Sequence, residues 1–430
     1  MRRSLVALFI TLALAPACFA EQPIGEKGPN GWLTIDASVA ARIMYDSNVM
    51  LESTGPQKNI ASPVTVITPS IGFNWHNVAG STAKLRLDYT NTDWFYHSRP
   101  DENNFDHLFG LKLSDSFKVD GGKLAYDLTN SFLMIDGESE SFCQFGDDGA
   151  AALGAPSIRD RRDQLVFKGG YKLQYTSADN QWFVRPLATV WFQDFRIRQQ
   201  NMVGYCNFAD RAEYAVGGDL GWRLYDTTDN GTSPLYGVVG YRAGWQYQGH
   251  ILNSPQRSSN QFQRVLVGLE GKVTSWLKMS FLVGPDFRNF VDEAPPSLDG
   301  SRVRWYAEGS LTATLSPSDE IIFTARHWTI PASGGKTVYD DSCYDLALKH
   351  IFDKQWTGTI GLRVAGGEWE APSHRDDWVF SPRAVLEYKL DQHWSFEGGY
   401  QFDAARSADR NLDGRDYARH LAWIGVKWSW

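Results

Sequence analysis

The sequence predicts an all-β protein, a single antiparallel transmembrane β-barrel of about 18 strands. Three observations predict it. Apolar and polar residues alternate with a period of two along most of the chain. The connections between alternating segments are short and long in turn. The 430 residues hold 17 Trp, 18 Tyr, 24 Phe and 39 Gly, yet past residue 20 no apolar run approaches the roughly 18 residues of a membrane helix. An aromatic content of 14% excludes a disordered chain, which lacks the apolar surface to offset its ordering entropy. A formal charge of −8 argues against nucleic acid as a partner, since nucleic-acid binders carry basic surfaces.

Residues 1–20 read as a secretory signal peptide and are set aside from the fold. Arg2 and Arg3 form its charged start, Leu5 to Leu14 its apolar core, and Cys18-Phe19-Ala20 offers small residues before a cut at Glu21. A lipoprotein signal acylated at Cys18 is the alternative, weakened by Ala15 where such signals usually carry Leu. Losing the two arginines takes the charge from −8 to −10 for residues 21–430. Residues 21–31 form a short periplasmic segment, and the rest form the barrel.

The first strand, 32–44, sets the pattern. Leu33, Ile35, Ala37, Val39 and Ala41 alternate with Thr34, Asp36, Ser38 and Arg42, one face apolar and one polar. Strands follow at 63–75, 82–96, 104–114 and 123–135, then at 162–176, where Leu165, Phe167, Tyr171 and Leu173 share a face. The next are 181–196, 211–225, 235–247, 261–273 and 277–289. Strand 301–315 alternates Val303, Trp305, Ala307 and Leu311 with Arg302, Arg304, Glu308 and Thr312. The remainder are 320–329, 342–351, 355–365, 376–390, 394–403 and 416–430.

Short connections at 77–80, 177–180, 274–276, 317–319, 352–354 and 391–393 read as periplasmic turns. Long ones at 45–61, 136–161, 197–210, 248–260, 290–300, 330–341, 366–375 and 404–414 read as extracellular loops. Closure has a physical cause: in lipid every backbone N–H and C=O must be paired, so an open sheet edge is not allowed. Trp75, Trp182, Trp222, Trp276, Trp356, Trp378 and Trp394 crowd strand ends, as interfacial girdles require. The final strand places Ala422, Ile424, Val426, Trp428 and Trp430 at every second position, which resembles the C-terminal signal read by the barrel assembly machinery.

Stretches near both ends of the chain carry a family likeness. Tyr45-Asp46-Ser47-Asn48-Val49 closes the first strand and Ile67-Thr68-Pro69-Ser70-Ile71-Gly72-Phe73 forms the second, while Arg415-Asp416-Tyr417-Ala418-Arg419-His420 opens the last. Together they resemble the β-barrel porins of Gram-negative bacteria often associated with exopolysaccharide gene clusters. The resemblance implies an outer-membrane location and polysaccharide traffic, and it implies no catalytic residues.

On the polar face basic residues outnumber acidic ones. A ring of one charge in a pore selects the opposite ion, so the expected function is a porin-like channel passing small solutes and favouring anionic ones. Arg302, Arg304, Arg363, Arg383, Arg242 and Lys272 are the candidate pore-lining residues. The opposing reading is a self-neutralising salt-bridge network along the wall. Two functional alternatives stand beside the channel: an exporter of exopolysaccharide working with periplasmic partners, and a barrel enzyme or structural adhesin. No nucleophile elbow, zinc-protease motif or phosphate-binding loop is present in the sequence. The expectation is therefore no enzyme, no cofactor and no metal, with outer-membrane lipids and a small or polymeric solute as partners.

Three smaller features complete the reading. Cys143 and Cys206 fall in loops of the same rim and can pair in an oxidising compartment, or remain two separate thiols. Asp409-Arg410-Asn411-Leu412-Asp413-Gly414 spaces oxygen ligands as a calcium loop does, but His420 stands where a bidentate Glu is expected, and a polar turn accounts for it equally. Asp340, Asp341 and Asp345 read as a solvated loop and strand start.

Overall fold

The structure is a computed structural model. It describes residues 24–28, 31–51, 53, 58–78, 81–136, 164–195, 209–226, 234–249, 256–291, 294, 298, 300–332, 337–370, 375–408 and 416–430. Residues 1–20, Cys143, Cys206 and the 409–414 loop lie outside the described residues.

The strands run β1 (Ile24–Gly28), β2 (Gly31–Asp46), β3 (Ser62–His76), β4 (Lys84–Tyr96), β5 (Asn104–Val119), β6 (Gly122–Asp136), β7 (Gln164–Ser177), β8 (Trp182–Phe195), β9 (Arg211–Asp226) and β10 (Pro234–Gln248). They continue as β11 (Asn260–Lys272), β12 (Leu277–Phe290), β13 (Ser301–Ser316), β14 (Asp319–Pro331), β15 (Val338–Ile351), β16 (Trp356–Trp369), β17 (Arg375–Lys389), β18 (Trp394–Ser407) and β19 (Tyr417–Ser429). Each strand pairs antiparallel with the next, and β19 returns to β2 with Gly425 opposite Arg42, which closes an 18-strand barrel. β1 is an addition to the expected plan: it folds back on the start of β2, with Gly28 opposite Gly31.

All 18 expected strands are present. Several ladders run further than the alternation alone predicts. β5 extends to Val119 because Asp120-Gly121 makes a tight reversal into Gly122, with Gly121 at φ +77°. That left-handed position suits glycine, which has no Cβ to clash. Three other short turns share a side-chain device. The Asp353 carboxylate accepts the backbone N–H groups of Gln355 and Trp356 at 2.7 and 2.8 Å. Asp391 does the same for His393 and Trp394 at 2.7 and 2.8 Å. Asp179 accepts from Gln181 at 3.0 Å. An aspartate caps the freed donors of a reversal, and the Trp three residues on begins the next strand in the girdle.

Strand alternation then sorts the two faces. Outward positions carry Ile43, Val216, Trp245, Val303, Ile360 and Ile424, the last 68% exposed. Inward positions carry Asp46, Arg211, Asp286, Arg288 and Arg419, all nearly fully buried. A soluble protein does the reverse. An apolar exterior belt edged by Trp75, Trp222, Trp276, Trp356 and Trp394 at the short-turn end is the surface that lipid covers. The chain forms a membrane-spanning β-barrel, with its short turns at one end and its longer connections at the other.

Candidate functional site: the lumen and its inward hairpin

The lumen wall has two unlike halves, and one departure from regular pairing makes the difference. The β13–β14 ladder stops at Ala307 opposite His327, whereas β13 stays on β12 as far as Ser301 opposite Asn289. At this fork the Trp305 and His327 rings stack 3.6 Å apart. Beyond it β14 keeps only β15, and both of its faces become buried: Trp328, Thr329, Ile330 and Ala332 are covered, as are Val338, Tyr339, Asp341 and Ser342 across the hairpin. A strand in the wall of a barrel buries one face. Burial of both places the upper β14–β15 hairpin inside the lumen, where it touches β10.

Leaving β13 frees backbone carbonyls, and buried carbonyls need partners. Side chains of the facing wall supply them. Thr329 O accepts from Arg288 Nη2 at 2.6 Å and Gln246 Nε2 at 2.9 Å. Pro331 O accepts from Arg211 Nη1 at 3.0 Å, and Ala332 O from Gln248 Nε2 at 2.6 Å. The donors are themselves fixed. Arg288 Nη2 bonds Asp286 at 2.7 Å, and Arg264 Nε bonds the same carboxylate oxygen at 3.0 Å. The Arg264 guanidinium lies 4.0 Å over Phe262 and 4.4 Å over Tyr306, a cation–π seat that favours Arg. Beneath the hairpin Trp328, Ile330 and Ala332 share one apolar cluster with Phe183, Val238, Leu266 and Leu282. Burying such side chains stabilises by about 1.5–3 kcal/mol each, so the hairpin is held by packing as well as by its carbonyls.

The other half, β2 to β7, buries inward Met44, Val64, Val66 and Tyr96 at its long-loop end, in a second apolar cluster with Val49 and Met50. Below that cluster it stays wet, and its inward residues there include hydroxylated ones: Ser38 and Ser70 share a 2.7 Å hydrogen bond, with Thr68, Thr90, Thr129 and Ser131 at neighbouring register positions. Inward Leu108 is 42% exposed, which requires open space in front of it. Arg86 and Lys112 are half exposed, Arg86 bonding Asp88 and Lys112 lying 4.0 Å from Asp127. A cavity of about 520 Å³ lies on this side, lined by Lys84, Ser114, Asp127, Lys172, Gln174 and Arg185.

The six candidate pore-lining residues all face the lumen, and the structure divides them. Arg242 Nη1 sits 2.7 Å from Asp219. Arg363 and Arg383 converge on one carboxylate, Asp345, at 2.8 and 3.3 Å. Arg304 spans the fork to Glu370, and to Asp340 at 3.8 Å. Arg302 is half-buried on β13. Lys272, at the end of β11, is exposed.

Sequence reasoning passed over Arg211, Gln246 and Gln248, and it read the hairpin as an ordinary outer loop. The available signal was Trp328-Thr329-Ile330-Pro331-Ala332, where alternation fails and apolar residues occupy both phases. Asp341 also differs from expectation. It is 1% exposed, bound by Arg326 Nη2 at 3.0 Å and Trp328 Nε1 at 2.9 Å, because β15 begins at Val338 and carries it into the lumen. The long loop expected at 136–161 lies largely outside the described residues.

No family model matches the chain. No curated protein matches it. Solved structures similar to it include OpdK of Pseudomonas aeruginosa with vanillate, at 8% identity and a TM-score of 0.42, covering 92% of this chain and 99% of that one. OccAB3 of Acinetobacter baumannii is 11% identical with a TM-score of 0.37, covering 92% and 99%. The copper transporter OprC is 10% identical with a TM-score of 0.41, covering 92% and 81%. None of them shares more with this chain than the form of a barrel.

Proposed function

We propose that the chain is a passive outer-membrane channel for small hydrophilic solutes, which travel along the β2–β7 side of the lumen. One observation carries this reading: the inward hairpin packs against β9–β12, while the opposite wall keeps exposed polar side chains and an adjoining cavity of about 520 Å³. An 18-strand barrel is wide enough to hold water unless something fills it, and here the short-turn part of the β2–β7 side is left unfilled. The solute lane offers hydroxyls and charges, so it favours small polar solutes over apolar ones. Anion preference is the finer part of the proposal, since Lys84, Lys112 and Lys172 stand exposed on this wall. The reading assigns no catalysis.

The test is single-channel recording of the refolded mature chain in planar bilayers under a salt gradient. Steady conductance with a reversal potential on the anion side supports the proposal. A silent bilayer overturns it and favours the exporter reading, which loss of surface polysaccharide on gene deletion would then support.

A further inference from the structure

The lumen's arginines and lysines behave differently. Arg42, Arg86, Arg185, Arg242, Arg264 and Arg363 are each ion-paired to an inward carboxylate. The lysines of the periplasmic half are not, apart from Lys112, 4.0 Å from Asp127. Lys84, Lys172, Lys272, Lys278, Lys389 and Lys427 are all exposed, and none has an ion-pair partner among the described residues. Lys84 opens β4, Lys272 ends β11, Lys278 is second in β12, and Lys389 ends β17. These four therefore stand at the rim formed by the short turns, with Lys427 just inside and Lys172 one step deeper.

Two details give this ring a purpose. Lys272 and Lys278 are direct cross-strand partners. Like charges directly opposite each other are destabilising, and the opposition is relieved when an anion sits between them. The second detail is direction. Rim lysines commonly snorkel to lipid headgroups, but here the lipid-facing positions of the same turns are Trp276, Trp356 and Trp394, and the lysines take the alternate, inward phase. Glu320, directly opposite Lys349, and Glu387, two residues from Lys389, share the inward phase of the rim, and Asp127 stands opposite Lys172. The turn aspartates Asp179, Asp353 and Asp391 are engaged by backbone N–H groups, so lysines outnumber free carboxylates on the inward phase.

We propose that this collar is the anion-recognising element of the barrel, a periplasmic-side binding site for a solute bearing several phosphates or carboxylates. Arginine's planar fork suits fixed two-point pairing, while lysine is a hydrated point charge on a mobile stem. Arginines thus brace the wall and lysines meet the solute. A charged constriction concentrates its counter-ion by tenfold or more. The collar's place in a passage rests on the channel reading, but its binding does not.

The experiment is calorimetric titration of inorganic tripolyphosphate into the full chain refolded in neutral detergent, with no lipid present. Wild type is expected to bind. Lys272→Gln/Lys278→Gln is expected to bind less tightly, and adding Lys389→Gln/Lys427→Gln to weaken binding by roughly tenfold or more. Lys58→Gln, in the first extracellular loop, should bind as wild type. Folding of each variant is checked by circular dichroism and gel mobility. Absence of binding by wild type, or equal binding by the fourfold variant, overturns the collar. Binding together with a silent bilayer keeps the collar and discards the channel. Conductance without binding keeps the channel and discards the collar.

Discussion

Arg419 and Asp46, 373 residues apart, form a two-point ion pair buried across the seam of the barrel, Nε to Oδ1 at 2.9 Å and Nη2 to Oδ2 at 2.6 Å. Around it Asn48 donates its backbone N–H to Asp46 at 2.9 Å and its side-chain amide to Ala418 O at 3.1 Å. Ser47 Oγ accepts from His420 N at 2.7 Å. Two of the stretches that resemble a porin family thus meet, through Asp46–Asn48 and Ala418–His420, where the first and last barrel strands close. The closure has a physical need: an unpaired seam in lipid leaves backbone groups without partners.

Arg419→Ala should therefore destabilise the barrel by about 3–5 kcal/mol, because it leaves a buried carboxylate uncompensated. The double variant Asp46→Ala/Arg419→Ala should cost less than the sum of the two singles, since no lone charge remains. Urea unfolding in micelles, followed by tryptophan fluorescence, measures both. Equal midpoints for Arg419→Ala and wild type would remove the seam lock.

Asp345 holds two arginines at once, Arg363 at 2.8 Å and Arg383 at 3.3 Å. Asp345→Asn keeps the side-chain shape and removes the charge. Both guanidinium groups then lose this counter-charge, and the wall gains one positive charge. The expected outcome is a reversal potential displaced further toward the anion side, read in the same salt gradient as wild type. A displacement toward cations would contradict the assignment of Asp345 as their counter-charge.

Gln248 and Arg211 tether the hairpin tip through Ala332 O and Pro331 O. Removing both donors leaves two buried carbonyls unsatisfied, at about 1–3 kcal/mol each. Arg211→Ala/Gln248→Ala should loosen the hairpin and raise single-channel conductance, with more current noise as the tip fluctuates. Unchanged conductance would mean that the hairpin does not limit the lane.

Much of this was legible from residues alone because a strand's period is two. Leu33, Phe167 and Val303 take the lipid side, and Arg302, Arg363 and Lys272 the lumen side, as alternation requires. What alternation cannot give is the register between strands. Whether Arg363 is free or bound depends on the cross-strand placement of Asp345 and Gly361, set by ladders whose origin lies in turns such as Phe352–Gln355. The inward hairpin was hidden for a related reason. Its cause is the end of pairing at Ala307 and His327, a property of two strands together, and its donors Arg211 and Gln248 lie on strands far from it in sequence.

The aspartate-capped turns make a last prediction about pH. The N–H groups of Trp394 and His393 hold the Asp391 carboxyl below its usual range, and the Ser177 hydroxyl with the Gln181 N–H does the same for Asp179. A carboxylate favoured in the folded state contributes stability above its ordinary pKa of about 3.9, and loses that contribution as pH falls through the lower folded value. The cap on Asp391 is therefore fully present at neutral pH and fades in acid. Asp391→Ala should lower the urea midpoint at neutral pH, and the difference from wild type should shrink at about pH 3 and below. Asp391→Asn keeps an oxygen acceptor but cannot ionise, so its midpoint should lack this part of the pH dependence. A wild-type–alanine difference that stays constant through the acid range would mean that the turn draws nothing from the charge of Asp391, and that packing of Trp394 against its neighbours sets the reversal instead.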